Sequence, residues 1–339
     1  MKTKIKNAII AAALIISVSA CNEDETKFLI PKGEENEVQI ENSIYTHQTY
    51  YDLSTNSVIV SVDVNEWDFS VETTGSMQSI KLNPAKGYRV FKTTSTNITD
   101  EIILPEVPEW NFDDPSYDPS KMAFYGWKDN EVFVIGKKMG SPNPTMPSIG
   151  VYAKVSFLKT SDGVKMQWMF EGETDIHHCT LSVSGENHPF TWFSFEAEGA
   201  ANIQPPSPND YDLIFSSYTG EIFDGTQSFI FDLHGTLTNR AGNVRSYRYN
   251  PGDATDEEYI EIFKNLTASD VESSKFKIDA NIIGYNWKTF SRITMSYEID
   301  KSNMYFATDG DGNIFKIRFT NYYNGDGEKG YISFTYALL

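Results

Sequence analysis

Three short runs in this 339-residue chain bring reactive side chains close together. Val18-Ser19-Ala20-Cys21 sets a thiol directly after a small-residue cleavage site, so Cys21 can be acylated and become the first residue of the mature chain. His177-His178-Cys179 supplies donor types that soft metals take. Side chains alternate on a strand, so only His177 and Cys179 share a face, and no second Cys or His pair lies at ligand spacing. A surface patch on a sheet is the expectation there. Asp309-Gly310-Asp311-Gly312-Asn313 imitates the opening of a calcium loop. Such a loop needs glycine sixth and a bidentate carboxylate twelfth. Here Ile314 and Thr320 hold those places and the flanks read as strands, which predicts a hairpin turn. The chain has no Ser-His-Asp pattern, Walker loop or Rossmann glycine run. Carboxylate pairs abound, but in an acidic chain they say little about glycosidase chemistry. The residues point to binding rather than to an enzyme.

The reactive thiol has a setting that explains it. Lys2, Lys4 and Lys6 precede an apolar run from Ala8 to Ile16, too short to span a bilayer. With the small residues before Cys21 this is a lipoprotein signal peptide over residues 1–20. Each acyl chain, such as palmitate, contributes about 0.8 kcal/mol per buried CH₂, so a multiply acylated cysteine is a lasting membrane anchor. Cleavage leaves 25 Lys and Arg against 47 Asp and Glu. So acidic a surface repels phosphate backbones and argues against nucleic acid as a partner. Cys179 is then the only other cysteine, and no intrachain disulfide can form.

The elements that must position any site read as strands. Aromatics are 14% of the residues, with 22 Phe and 19 Tyr, and the pattern predicts an all-β, antiparallel, sandwich-like fold with one minor helix. Residues 21–43, polar and acidic, read as an acylated flexible tether, with order starting near Ile44. Val58, Val60, Val62 and Val64 alternate as a half-buried strand. Trp67-Asp68 reads as a core indole beside a turn-closing carboxylate, and Asp212 repeats that placement, a hint of internal duplication. Val151–Leu158 faces Val164–Phe170 across Asp162-Gly163, a hairpin. Proline-rich joints fall at Pro105–Pro119, Gly140–Pro147 and Ile203–Asn209. The last divides an N-terminal β region, 44–202, from a C-terminal one, 203–339, as one continuous domain or two. Thr255 with Glu258 makes a capping box for a helix to Asn265. The closing stretch predicts three strands. Phe315, Ile317 and Phe319 seek burial there, and Lys316, Arg318 and Thr320 form the charged opposite face.

Several of these runs carry a family resemblance. They are Ile283-Gly284-Tyr285-Asn286-Trp287-Lys288, Asp311-Gly312-Asn313, Lys316-Ile317-Arg318-Phe319, and Lys329-Gly330-Tyr331 with Phe334. Asp52-Leu53-Ser54, Trp67-Asp68 and Leu82-Asn83 add to them. Together they resemble the HmuY-like haem-binding lipoproteins of Bacteroidetes over Tyr50–Asn83 and Tyr211–Leu339, with a longer segment between, as in an enlarged branch. Asn22-Glu23-Asp24-Glu25 likewise resembles the surface-export signal of Bacteroidetes lipoproteins.

The resemblance implies an outer-membrane, cell-surface lipoprotein of iron acquisition. Haem or another porphyrin would be its cargo and a TonB-dependent outer-membrane transporter its partner. It implies two axial ligands from loops, His in some members and Met in others, one of them shortly after Trp287. By spacing that position is Arg292, which cannot ligate iron, whereas Met295 can. The other ligand would come from Asp256–Phe263, which holds no His or Met but does hold Tyr259; His234 lies upstream on a strand. Met295, His234, Tyr259 and Trp287 are therefore the candidate site residues, with no metal site of the protein's own. An accessory lipoprotein whose aromatic surface contacts a glycan or a protein partner is the alternative.

Overall fold

The computed structural model describes residues 29–77, 79–106, 108–138, 149–182, 188–223 and 225–339. The signal peptide, Cys21, the acidic run after it and the Gly140–Pro147 loop lie outside the described residues. Among the described residues the strand ladders are all antiparallel and one α-helix accompanies them.

The C-terminal meander forms as its alternation predicts. Met304–Thr308 pairs with Ile314–Tyr323, which pairs with Lys329–Leu338. Asn36–Gln39 adds to the outer edge, with Val38 opposite Phe334, so the chain enters the sheet before Ile44. The tether expected over residues 21–43 is thus shorter than its polarity suggested. Backbone pairing, which polarity does not report, holds this segment.

The charged face of the meander is not solvent-facing. Lys316 and Arg318 are both buried, because helix Asp256–Asn265 packs across them. Lys316 Nζ donates to the carbonyls of Phe263, Lys264 and Leu266, and Arg318 lies over the Phe263 ring. A cation thus caps the carbonyl end of the helix, where the dipole favours positive charge. At the other end the Thr255–Glu258 box is closed in both directions. Lys316→Met takes a charged donor from three carbonyls at once and is expected to cost about 2–4 kcal/mol in urea unfolding. An unchanged midpoint would show that these bonds contribute nothing.

The hint of duplication becomes a pair of equivalent clasps. In the first, Phe69 opposes Leu82 and Phe193; in the second, Leu213 opposes Thr238 and Tyr51. Asp68 accepts from Phe195 N–H at 2.7 Å, as Asp212 accepts from Leu53 N–H at 2.9 Å. Asn83 donates from its side chain to the carbonyls of Val64 and Trp67, and Asn239 to those of Pro208 and Tyr211. Each asparagine N–H also bonds the carbonyl of its aspartate. Buried carboxylate and amide groups thereby satisfy strand ends that would otherwise be orphaned.

Strands from both sides of Ile203–Asn209 share a sheet, ordered Ser228–Thr238, Leu213–Phe223, His47–Asp52, Ser57–Asp63. The proline joint is therefore a crossover within shared sheets. The Ile149–Thr160 and Gly163–Phe170 hairpin lies in a separate five-stranded sheet, over a core that includes Phe69, Phe133 and Trp168. On the Ser57–Asp63 strand only Val62 of the alternating valines is fully buried, and Val58 is exposed, as befits a sheet edge.

Candidate functional site

Trp287 is the anchor from which the site is built. It is fully buried, stacked on Phe319 at 4.3 Å, and its Nε1 donates to the Gly284 carbonyl. It does not line the nearby cleft, which corrects its expected ligand contact: so large an apolar ring gains more from the core. What it fixes is the hairpin Lys288–Ser291 with Ser296–Ile299, whose Phe290 and Tyr297 face each other and wall a cleft of about 770 Å³.

The opposite wall is the Ser228–Thr238 strand, which carries His234. Backbone bonds between Thr236 and Gly284 hold this strand against the Ile283-Gly284-Tyr285 run. The approach is so close that a Cβ on Gly235 would lie 2.1 Å from the Gly284 oxygen, so position 235 requires glycine.

His234 is set for a particular tautomer. Its Nδ1 lies 2.6 Å from Ser217 Oγ, and Ser217 donates its single proton to the Ile44 carbonyl at 2.7 Å. The imidazole must then donate from Nδ1, which leaves the lone pair on Nε2. Burial, reinforced by the neighbouring Lys288, pushes its pKa down to about 4, so the ring is neutral at pH 7. Tyr45 packs on it with ring centroids 4.3 Å apart. Lys288 Nζ donates to the His234 carbonyl and sits over the Trp287 and Tyr322 rings. Burial pushes that ammonium down to about 7. Arg248 and Lys329 bring further positive charge to the cleft, Phe231 and Tyr285 further aromatic surface, and Asp232 and Asp300 carboxylates.

The other candidates fall elsewhere. Met295 stands at the tip of the Lys288–Ile299 hairpin, 72% exposed and at φ +53°, beside the fully protruding Ile293. It is on the hairpin that walls the cleft, not in the wall itself. Tyr259 is a core residue under the helix face, and its hydroxyl donates to the Asn303 carbonyl. That bond and the surrounding apolar packing take it out of the ligand set, which corrects the expectation of an oxygen donor. Lys288, Arg248, Lys329, Tyr45 and Ser217 were missed. Lys288 and Lys329 were in view as residues of the Ile283–Lys288 and Lys329–Tyr331 runs; Arg248, Tyr45 and Ser217 converge only through strand pairing.

Neither metal-like motif forms a cluster of three or more His, Cys, Asp or Glu at metal-binding distance among the described residues. Asp309 closes its turn by accepting from Asp311 N–H, Asn313 N–H, the Asn313 side chain and Ser54 Oγ. His177 stacks on Trp168 and meets Glu173 and Glu198. Burial pushes the Cys179 thiol up to about 11. At pH 7.5 it is therefore almost wholly protonated, and alkylation by iodoacetamide is expected to be at least about tenfold slower than for a free peptide thiol. Equal rates would contradict that burial.

No curated protein matches the chain. Among solved structures it is similar to the apo HmuY analog of Tannerella forsythia, at 14% identity over 91% of this chain and 97% of that one, with a TM-score of 0.26. It is also similar to apo PinO from Porphyromonas gingivitis, at 11% identity over 90% and 97%, with a TM-score of 0.25. Overlays this loose carry no argument of their own. The family model described as HmuY protein, by contrast, matches residues 44–336, from the first Tyr45-bearing turn to the last strand. On that extent, the chain belongs to the HmuY protein family.

Proposed function

We propose that the protein captures haem or a related porphyrin in the His234 cleft and passes it to a TonB-dependent outer-membrane transporter. It would do so from the cell surface, held to the outer membrane by an acylated Cys21. The family is one of haem-binding type rather than of enzymes. The observation that carries the reading is the imidazole of His234, kept neutral by burial and oriented by Ser217 so that Nε2 is the basic nitrogen, at the wall of an aromatic cleft. Neutral imidazole is a common axial donor to haem iron, and a hydrogen bond at its far nitrogen raises its basicity. The cleft lies within the roughly 300–1,000 Å³ typical of small-molecule sites. Phe290, Tyr297 and Tyr285 offer faces for a flat macrocycle, and Arg248 and Lys329 offer charges for its propionates. Met295 is the soft donor on the same hairpin and the proposed second ligand.

The test is a haemin titration of residues 22–339 followed in the Soret region. A sharp, saturating one-to-one shift, weakened in Met295→Ala, is expected. A response no greater than that of an unrelated acidic protein would sink the haem reading and leave the glycan or partner-binding alternative.

A further inference from the structure

A second cleft opens where the two aspartate–asparagine clasps meet. Trp67, Lys81 and Leu82 reach it from the first, Tyr211 and Asn239–Ala241 from the second. The Ile203–Asn209 joint contributes Pro205, Pro206 and Pro208. The main chamber holds about 590 Å³ and continues into a pouch of about 90 Å³ through a shared set of residues that includes Lys81, Tyr117, Phe190 and Tyr211. None of the residues walling the His234 cleft belongs to it.

Three of its polar side chains, Lys81, Tyr117 and Tyr211, are donors not spent on other protein groups among the described residues. Lys81 Nζ lies 4.9 Å from the Phe190 ring centroid and 5.7 Å from that of Tyr117. No ion pair or hydrogen bond engages it among the described residues. The acids nearest it in effect, Asp113 and Glu72, are turned to other donors. Asp113 accepts from the N–H groups of Leu82 and Ala123, and Glu72 from Ser76 Oγ and Ser79 N–H. The hydroxyls of Tyr117 and Tyr211 have no bonded partner among the described residues, and burial raises the pKa of both, so they stay protonated. Nδ1 of His188, on the pouch, is buried without a partner. Donors that line a cavity without a protein partner are met by water or by an acceptor from outside.

We propose that this cleft binds an aromatic monocarboxylate, with its carboxylate accepting from Lys81, Tyr117 and Tyr211 and its ring against the Trp67, Phe190 and proline walls. A carboxylate is acceptor-only, which is what a set of unspent donors requires. One lysine balances one negative charge. A phosphate dianion would face Asp113 and Glu72 with a single local cation, since Arg240 is paired to Asp279.

The test uses isothermal titration of residues 22–339 with 2-naphthoate and with the neutral isostere 2-naphthamide. Naphthoate is expected to bind at least about tenfold tighter, a difference of about 1.4 kcal/mol. Lys81→Met should erase that preference, and Tyr211→Phe should weaken naphthoate several-fold. Equal affinities for the two probes, or a preference that survives Lys81→Met, would overturn the proposal. So would displacement of naphthoate by one equivalent of haemin, which would make this the porphyrin site. Should Lys81→Met fail to fold, the wild-type comparison and Tyr211→Phe decide the matter: an unaffected Tyr211→Phe refutes the assigned contacts.

Discussion

Replacing His234 by alanine is expected to abolish the Soret shift of the proposed haem complex and to weaken haemin binding by about 30- to 1,000-fold, the loss of roughly 2–4 kcal/mol that removing a central anchor costs. The pH profile gives a separate readout. With the imidazole pKa held near 4, the Nε2 lone pair is available at pH 7 and stays so down to about pH 5. Binding should therefore be flat across that range and collapse as pH falls through 4. A midpoint near 6.5, the ordinary histidine value, would mean that the ligating imidazole is not this buried one. The same depressed pKa acts on the ligand-free fold. Between pH 6.5 and about 4 the unfolded chain takes up a proton that the folded chain refuses, so stability declines as pH falls through that window. Ser217→Ala should move both curves, because it removes the acceptor that fixes the tautomer. A variant with wild-type spectra and midpoint would show that Ser217 does not orient the ring.

Asp68→Ala is expected to be the most destabilising single change in the N-terminal half, at about 3–5 kcal/mol, because it leaves the buried Tyr88 hydroxyl and the Phe195 N–H without their acceptor and breaks the ion pair to the half-buried Lys86. The carboxylate takes Phe195 N–H, Tyr88 Oη–H at 2.7 Å and Lys86 Nζ at 2.5 Å. Asp212→Ala should cost less, about 1–3 kcal/mol, since Leu53 N–H is a neutral donor. The double variant should lose about the sum, and a shortfall or excess would measure coupling between the two clasps. With domain stabilities of about 5–15 kcal/mol, that sum takes much of the total. Urea melts at constant slope measure it. A loss below about 1 kcal/mol for Asp68→Ala would show that water replaces these bonds at little cost.

Local patterns were readable where local forces decide. The Asp162-Gly163 hairpin, the closing meander and the Thr255–Glu258 box follow from turn residues, alternation and a side chain reaching its own backbone. The Asp68–Asp212 parallel was visible as a repeated aromatic-acid-apolar order, but the matching Asn83 and Asn239 emerged only once strand pairing aligned them. Alternation misplaced Lys316 and Arg318, since a period of two separates faces without saying what covers each one. Trp287 was legible as an aromatic side chain of weight but not as a core residue. The cleft was the least legible feature. Tyr45, Ser217, His234, Arg248, Lys288 and Lys329 span most of the chain, and only the shared sheets gather them.

That gathering also governs when the molecule can take shape. Asn36–Gln39 lies against Lys329–Leu338, and His47–Asp52 against Leu213–Phe223. Both early strands thus lack one side of their pairing until later ones are present. A topology so dominated by distant partners closes on the slow side, in about milliseconds to seconds for comparable β folds. A ribosome delivers the polypeptide N-terminus first, so the sheet that joins Asn36–Gln39 to Lys329–Leu338 assembles only after the final strand has emerged.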